Sequence, residues 1–293
     1  MSTRVGWLLP LTIIIGTASI SIGAFWQQPT FISRIDSVRV DVLVTDGREP
    51  IVGLRPADFE VRDNGVPQVV DLMAFETIPL NVMLAFDLSS SVTGTRLEEL
   101  RAASLTVAGA LRPNDRAALL TFNNTISLRT PLTADLARLR AALDQLHLSG
   151  IGDDTALVDA SYSALVLGES DAGRSLLIVF SDGADTASFL TPAAVLETAK
   201  RSDVVVYSVE SSTGLPTHFL EDLCALTGGR ALHVTSSKKV AETFGTIFDE
   251  FRHRYLISYT PRGVSKDGWH RLDVRVKNRR ATVKARPGYL AAF

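Results

Sequence analysis

A single cysteine, Cys224, in a chain of 293 residues excludes an internal disulfide and a cysteine-based zinc site, so thiol chemistry has little part in this protein. It reads as a small buried apolar residue within the run 220–226. Charge of one sign is also lacking: 30 Lys and Arg stand against 32 Asp and Glu. Gripping nucleic-acid phosphates calls for a strongly basic face, so nucleic acid is excluded as the main partner. There is no Gly-x-Gly-x-x-Gly fingerprint, because Gly150-Ile151-Gly152 runs on into Asp153-Asp154-Thr155, and no Gly-Lys-Ser/Thr of Walker type. Neither a Gly-x-Ser-x-Gly elbow nor a His-Glu-x-x-His pair occurs, and the five histidines, His147, His218, His233, His253 and His270, read as exposed or capping residues. Low-complexity tracts are absent beyond the N-terminal segment. With 46% hydrophobic and 21% charged residues, the chain can bury a real core, and disorder is excluded for most of it.

One long stretch does lack charge. Arg4 precedes residues 5–33 without a single ionisable side chain, most apolar over 7–15. Residues 1–30 therefore read as a signal peptide or an N-terminal membrane anchor. Small residues suit a cleavage site, and Pro10 with many Ser, Thr and Gly residues weakens a membrane helix, so both readings stay open. Either way the bulk of the chain is expected outside the cytoplasm: periplasmic, secreted or anchored to the membrane by that segment.

Beyond it the hydrophobic pattern divides the chain into three. Residues 35–79 alternate with period two, Val38, Val40, Val42 and Val44 against Arg39, Asp41 and Leu43, and Asn64-Gly65 marks a hairpin. Residues 254–293 alternate in the same way, predicting strands at 255–259, 272–276 and 281–285. Neither β segment is large enough to be stable alone, so the two are expected to pair into one small discontinuous β domain. Residues 80–253 between them alternate short, wholly apolar runs with amphipathic helical stretches, the pattern of a mainly parallel sheet covered on both faces. Strands are predicted at 81–86, 117–122, 126–129, 176–180, 204–209 and 231–234, and helices near 95–111, 134–146, 156–167, 192–201, 217–226 and 238–254. The fold class is α/β, a doubly wound, mainly parallel sheet inserted in the β domain.

In such sheets the chemistry gathers in loops past the carboxyl ends of strands. Three loops carry a signal. The first reads Asp87-Leu88-Ser89-Ser90-Ser91, with Asp87, Ser89 and Ser91 at alternate positions; the second places Thr155 at the start of a helix; in the third, Ser181-Asp182-Gly183, Asp182 leaves the end of a strand. Carboxylates and hydroxyls without nitrogen or sulfur suit a hard divalent cation, above all Mg²⁺, with Mn²⁺ or Ca²⁺ also accommodated; zinc is not the natural tenant. Two carboxylates and three neutral hydroxyls leave the ion electrophilic, with a position open for an Asp or Glu of a protein partner. Asp153 and Asp185 border the expected ion as hydrogen-bond acceptors.

These residues resemble the von Willebrand factor A domain with its metal-ion-dependent adhesion site. The resemblance rests on Asp-x-Ser-x-Ser at Asp87, Ser89 and Ser91, on Thr155 within Gly-Asp-Asp-Thr-Ala-Leu and on the Asp-Gly at Asp182, and it covers residues 80–253. It implies that the serines and threonine offer hydroxyls while the aspartates bind directly or through water, and that the last helix shifts when the site is filled. Asp154 stands where family members often have glycine, an extra carboxylate that favours Ca²⁺ or a less electrophilic site. The flanks, with Asp58-Phe59-Glu60-Val61 before and Arg286-Pro287-Gly288-Tyr289 after, resemble the VWFA-related domain proteins abundant in acidobacteria. The expected function is non-enzymatic, metal-dependent protein binding. Its rival is a scaffold or assembly factor of the cell envelope whose metal site only stiffens the loops. A phosphohydrolase using Asp87 as nucleophile is disfavoured by Ser89, where such enzymes carry a second aspartate. The basic run Lys277-Asn278-Arg279-Arg280 with Lys284 and Arg286 reads as the solvated face of a terminal hairpin.

Overall fold

The computed structural model describes residues 37–89, 95–146, 154–169, 172–181, 184–211, 218–234 and 238–292. The expected signal or anchor lies outside the described residues, as do Ser91, Asp153 and Asp182. Among the described residues no helix is long and apolar enough to cross a membrane. The chain opens with β1 (Val38–Asp46), β2 (Glu49–Pro50), β3 (Phe59–Asp63), β4 (Val66–Gln68) and β5 (Leu72–Phe75). The middle runs β6 (Leu80–Asp87), α1 (Thr95–Ala110), β7 (Arg116–Phe122), β8 (Ile126–Thr133), α2 (Leu136–Asp144), α3 (Leu157–Gly168), β9 (Arg174–Ser181), α4 (Pro192–Ala199), β10 (Val205–Ser211), α5 (His218–Thr227), β11 (Ala231–Val234) and α6 (Lys238–Arg252). It closes with β12 (Tyr255–Tyr259), β13 (Asp267–Val276), β14 (Thr282–Lys284) and β15 (Gly288–Ala292).

The middle strands form a six-stranded sheet in the order β11-β10-β9-β6-β7-β8, parallel except for β8, which runs antiparallel to β7. Its central strands are apolar throughout because both faces are covered. In β6, Leu80, Val82, Leu84 and Phe86 pack with Leu100, Leu139, Phe244 and Phe251 of α1, α2 and α6. Met83 and Ala85, pointing the other way, pack with Leu157, Ala164, Val195, Leu220 and Cys224 of α3, α4 and α5. This is the α/β doubly wound sheet that the apolar runs predict. Cys224 is fully buried there, and burial pushes its thiol up to about 12.

The flanking strands pair across the insertion. β1 runs antiparallel to β12, Val38 opposite Tyr259, and to β14; β5 pairs with the other edge of β12. The second sheet, β15-β13-β3-β4, sets Val61 opposite Val274. Val40, Val42, Phe59, Val61, Ile257, Leu272 and Tyr289 from both sheets share one core. Here the structure departs from the sequence reading in three ways. A fourth C-terminal strand, β15, forms where only a Pro-Gly turn is legible, because β13 provides its partner. The polar face of β1 is turned in part toward the inserted sheet: Arg39 donates to Gly173 O at 2.7 Å, and Asp41 pairs with Arg174 of β9, its Oδ1 accepting from Nε at 2.7 Å. Arg286 leaves the solvated basic cluster and is buried against Asp203, 3.0 Å away.

His270 corrects the reading of the histidines. It is fully buried in the second sheet, with Nδ1 2.7 Å from Asp63 Oδ1, while the Tyr259 and Tyr289 hydroxyls donate to Asp63 Oδ2 at 2.9 and 2.8 Å. A carboxylate taken out of water survives only when its lone pairs are satisfied, and this one joins β3, β12, β13 and β15. Asp63→Asn turns one acceptor into a donor facing these groups and is expected to cost about 2 kcal/mol in urea melts. Burial, with the Asp63 carboxylate adding to it, holds both phenols above the usual tyrosine value of 10.0. The folded state therefore keeps protons that the unfolded chain releases first, and stability is expected to fall as pH rises past about 10.

Candidate functional site

The two ends of the central sheet differ in chemistry. At its amino end Arg174, Asp41 and Arg286 make the seam with the β strands, and crevices of about 280 and 490 Å³ lie along that seam. At its carboxyl end β6 and β9 finish in polar residues that stay buried, Asp87 and Ser181. β6 is buried along its whole length, so Asp87, the first polar side chain after the run 82–86, leaves the sheet with no exposure at all.

Asp87 is oriented from two sides. Its Oδ1 accepts the Ser89 amide at 2.9 Å, a tight turn that brings Ser89 back toward the strand end, and its Oδ2 accepts the Ser181 hydroxyl at 2.8 Å. Ser89 is buried as well. The turn is tied to β7, Leu88 N donating to Phe122 O at 2.7 Å. One residue on, Asn123 O accepts the Ala156 amide at 2.8 Å, which sets Thr155 beside the same strand ends. Thr155 is buried, yet its hydroxyl is not the cap of α3. The first amides of that helix go to neighbouring side chains instead, Val158 N to Asp185 Oδ1 at 3.2 Å and Asp159 N to Ser188 Oγ at 3.1 Å. Among the described residues, then, α3 is capped by Asp185 and Ser188 and not by the Thr155 hydroxyl.

Asp87, Ser89 and Thr155 are thus gathered at one edge by β6, β7 and the start of α3. Ser91 and Asp182 lie outside the described residues; Asp182 follows Ser181, the residue bonded to Asp87. Asp185 serves as a helix cap, and the Asp154 side chain is exposed and accepts from Thr186 Oγ1 at 3.3 Å. Sequence reasoning missed two groups. Ser181 was legible only as a member of the third loop, without a role, and its contact with Asp87 arises because β9, which extends to Ser181, neighbours β6. Glu210, buried at the end of β10 opposite Ser181, had no motif to mark it. Among the described residues no group of three or more His, Cys, Asp and Glu side chains gathers as a metal site.

The model of the von Willebrand factor type A domain matches residues 81–249, the span that contains this edge. Human inter-alpha-trypsin inhibitor heavy chain H6 is 27% identical over 178 residues, 56% of this chain and 13% of that protein, so the chain spans a small part of this curated relative's length. Among solved structures, proximal thread matrix protein 1 from the mussel byssus, with a zinc-occupied MIDAS motif, has a TM-score of 0.55 at 16% identity, over 63% of this chain and 48% of that one. An aerotolerance-related membrane protein from Bacteroides fragilis has a TM-score of 0.48 at 18% identity, over 59% of this chain and 98% of that one. At 16% identity the byssus protein shows a shared fold.

Proposed function

The chain belongs to the von Willebrand factor type A domain family, and from that premise we propose that it is an extracytoplasmic binding module that captures an acidic protein ligand through a divalent ion. The family is one of metal-dependent protein interaction and adhesion, and its members are typically not enzymes. The observation that carries the reading is the gathering of Asp87, Ser89 and Thr155, all buried, at the carboxyl edge of the sheet. Ser91 and Asp182 complete the set by sequence. These donors fit the ion: all are hard oxygens, and the hydroxyls are neutral, which suits Mg²⁺ or Mn²⁺ and admits Ca²⁺.

When bound, the ion supplies a Lewis-acid centre for a carboxylate. The chain's own residues do the rest. Asp87 supplies negative charge in a direction set by the Ser89 amide and the Ser181 hydroxyl. Ser89 and Thr155 supply neutral oxygen, so the partner's carboxylate is still needed to balance charge. Location outside the cytoplasm rests on the uncharged stretch 5–33.

Calorimetric titration of Mg²⁺, Mn²⁺, Ca²⁺ and Zn²⁺ into the metal-stripped full chain tests the reading, with excess acetate standing in for the partner's carboxylate. Zinc is included because the byssus relative holds it in its MIDAS motif. One saturable site is expected. Heats that never saturate with any of the four ions would overturn the proposal.

A further inference from the structure

The loop between β9 and α4, residues 184–191, is fastened to the start of α3. Thr186 and Ala187 donate their amides to Thr155 O at 2.8 and 3.1 Å, and the Thr155 amide donates to Thr186 Oγ1 at 2.9 Å. Asp185 and Ser188 take the amides of Val158 and Asp159. In return the Asp159 carboxylate accepts the amides of Phe189 and Leu190 at 2.9 and 2.8 Å. The backbone at position 189 is therefore fixed, and it carries the Phe189 ring into water, 97% exposed.

The loop caps α3, but the exposed ring itself covers no apolar surface of the described residues. An aromatic ring left free folds onto whatever apolar surface it can reach, and here the hydrogen bonds of the loop hold it away. Leu190 is partly exposed beside it. Tyr162 and Val166, three and seven positions after Asp159 on the same face of α3, are exposed too and continue an apolar strip. Aromatic side chains on a backbone already held in place suit interface anchors, because covering them freezes only the two torsions of the ring.

We propose that Phe189 is the apolar anchor of the partner interface: the protein that brings an Asp or Glu to the ion also carries an apolar pocket that closes over this ring. The proposal rests on the metal-bridged reading above. Its warrant is continuity, since Thr155 is at once a member of the oxygen set and the main-chain hub of the Phe189 loop, so ring and oxygen donors belong to one stiff piece of the same edge. The partner it fits has an acidic residue beside an apolar cleft, and is neither a wholly acidic segment nor an anionic polymer. Asp159 acts as a positioning residue, holding the ring out without meeting the partner's carboxylate.

The test uses the full chain loaded with Mg²⁺ and a displayed library of short random peptides with one fixed central Asp or Glu. Peptides retained with Mg²⁺ and released by EDTA are expected to carry aromatic or branched aliphatic residues at a constant distance from the acid. They are expected to bind the Phe189→Ser variant about 30-fold more weakly than the unmutated chain. Mg²⁺ affinity and melting temperature stay the same in both, because the ring touches neither core nor ion. Asp159→Ala, which frees the loop but keeps the ring, is expected to lose part of the affinity. Mg²⁺-dependent peptides that bind Phe189→Ser and the unmutated chain equally would overturn the anchor and leave the metal bridge standing. Retention of no peptide by the Mg²⁺-loaded chain overturns the anchor together with the carboxylate bridge, and calorimetry without metal binding overturns the site itself. An unmutated chain that dimerises in sedimentation, beside a monomeric Phe189→Ser, assigns the ring to a second copy and also defeats the proposal.

Discussion

Asp87→Ala is expected to weaken divalent-ion binding by at least about 100-fold in calorimetry, the loss that follows removal of a charged oxygen donor from a small hard-ion site. The effect on the fold is smaller. Asp87 accepts the Ser89 amide and the Ser181 hydroxyl, so its loss also removes two buried hydrogen bonds, worth about 1–3 kcal/mol in the metal-free protein. Asp87→Asn separates the two roles. The amide oxygen still accepts from Ser89, which keeps the turn, while the negative charge is gone, which removes ion affinity. A binding module then loses partner capture with both variants. A scaffold whose ion only stiffens the loops keeps capture with Asp87→Asn and loses only the thermal stabilisation that Mg²⁺ gives, an increment that mass action makes dependent on Mg²⁺ concentration.

The largest effect on stability is expected at the other end of the sheet. Arg254, two residues after α6, is fully buried. Its Nη2 donates to the Tyr207 hydroxyl at 2.8 Å and to Gly228 O at 2.7 Å, its Nη1 reaches Asp41 O at 3.4 Å, and Glu250 lies 3.9 Å away. The guanidinium also lies over the rings of Tyr207 and Phe251. Burial holds the Tyr207 phenol well above the usual tyrosine range, so it stays protonated, donating to Glu250 at 2.8 Å while accepting from Arg254. One side chain thus joins β10, the end of α5, α6 and β1. Arg254→Ala orphans the Gly228 carbonyl, weakens the surroundings of a buried carboxylate and opens a cavity, for a loss of about 4 kcal/mol. Urea melts are expected to show a lower midpoint with an unchanged slope. Arg254→Lys is not expected to restore it, because a single ammonium cannot span acceptors set in a fork. A loss below about 1 kcal/mol would show that the seam does not depend on this residue.

Gly228 shows how closely the two parts approach there. Its φ of +82° suits glycine, and a Cβ would lie 2.6 Å from Arg286 N. No local pattern announces such a requirement, since the neighbour that forbids a side chain is 58 residues further along the chain.

The central sheet was legible along the chain, because a run such as 82–86 or 176–180, apolar at every position, is buried on both faces. The proposed oxygen set was legible there too: Asp87, Ser89, Ser91 and Asp182 fall just past predicted strands and Thr155 at the start of a predicted helix, and hydroxyls with carboxylates suit few ions. Strand neighbourhood was decided by the tertiary structure alone. Ser181 meets Asp87 because β9 pairs with β6, and Asp63 meets His270 across 207 residues because β3 pairs with β13. Periodicity reports which face of an element is apolar, but a polar side chain is legible as buried only once its partner is known. Arg39 and Asp41 on the polar face of a strand and Arg286 in a basic cluster show no sign of burial along the chain, and with Arg174 and Arg254 they become a seam only when the insertion brings the two β segments together.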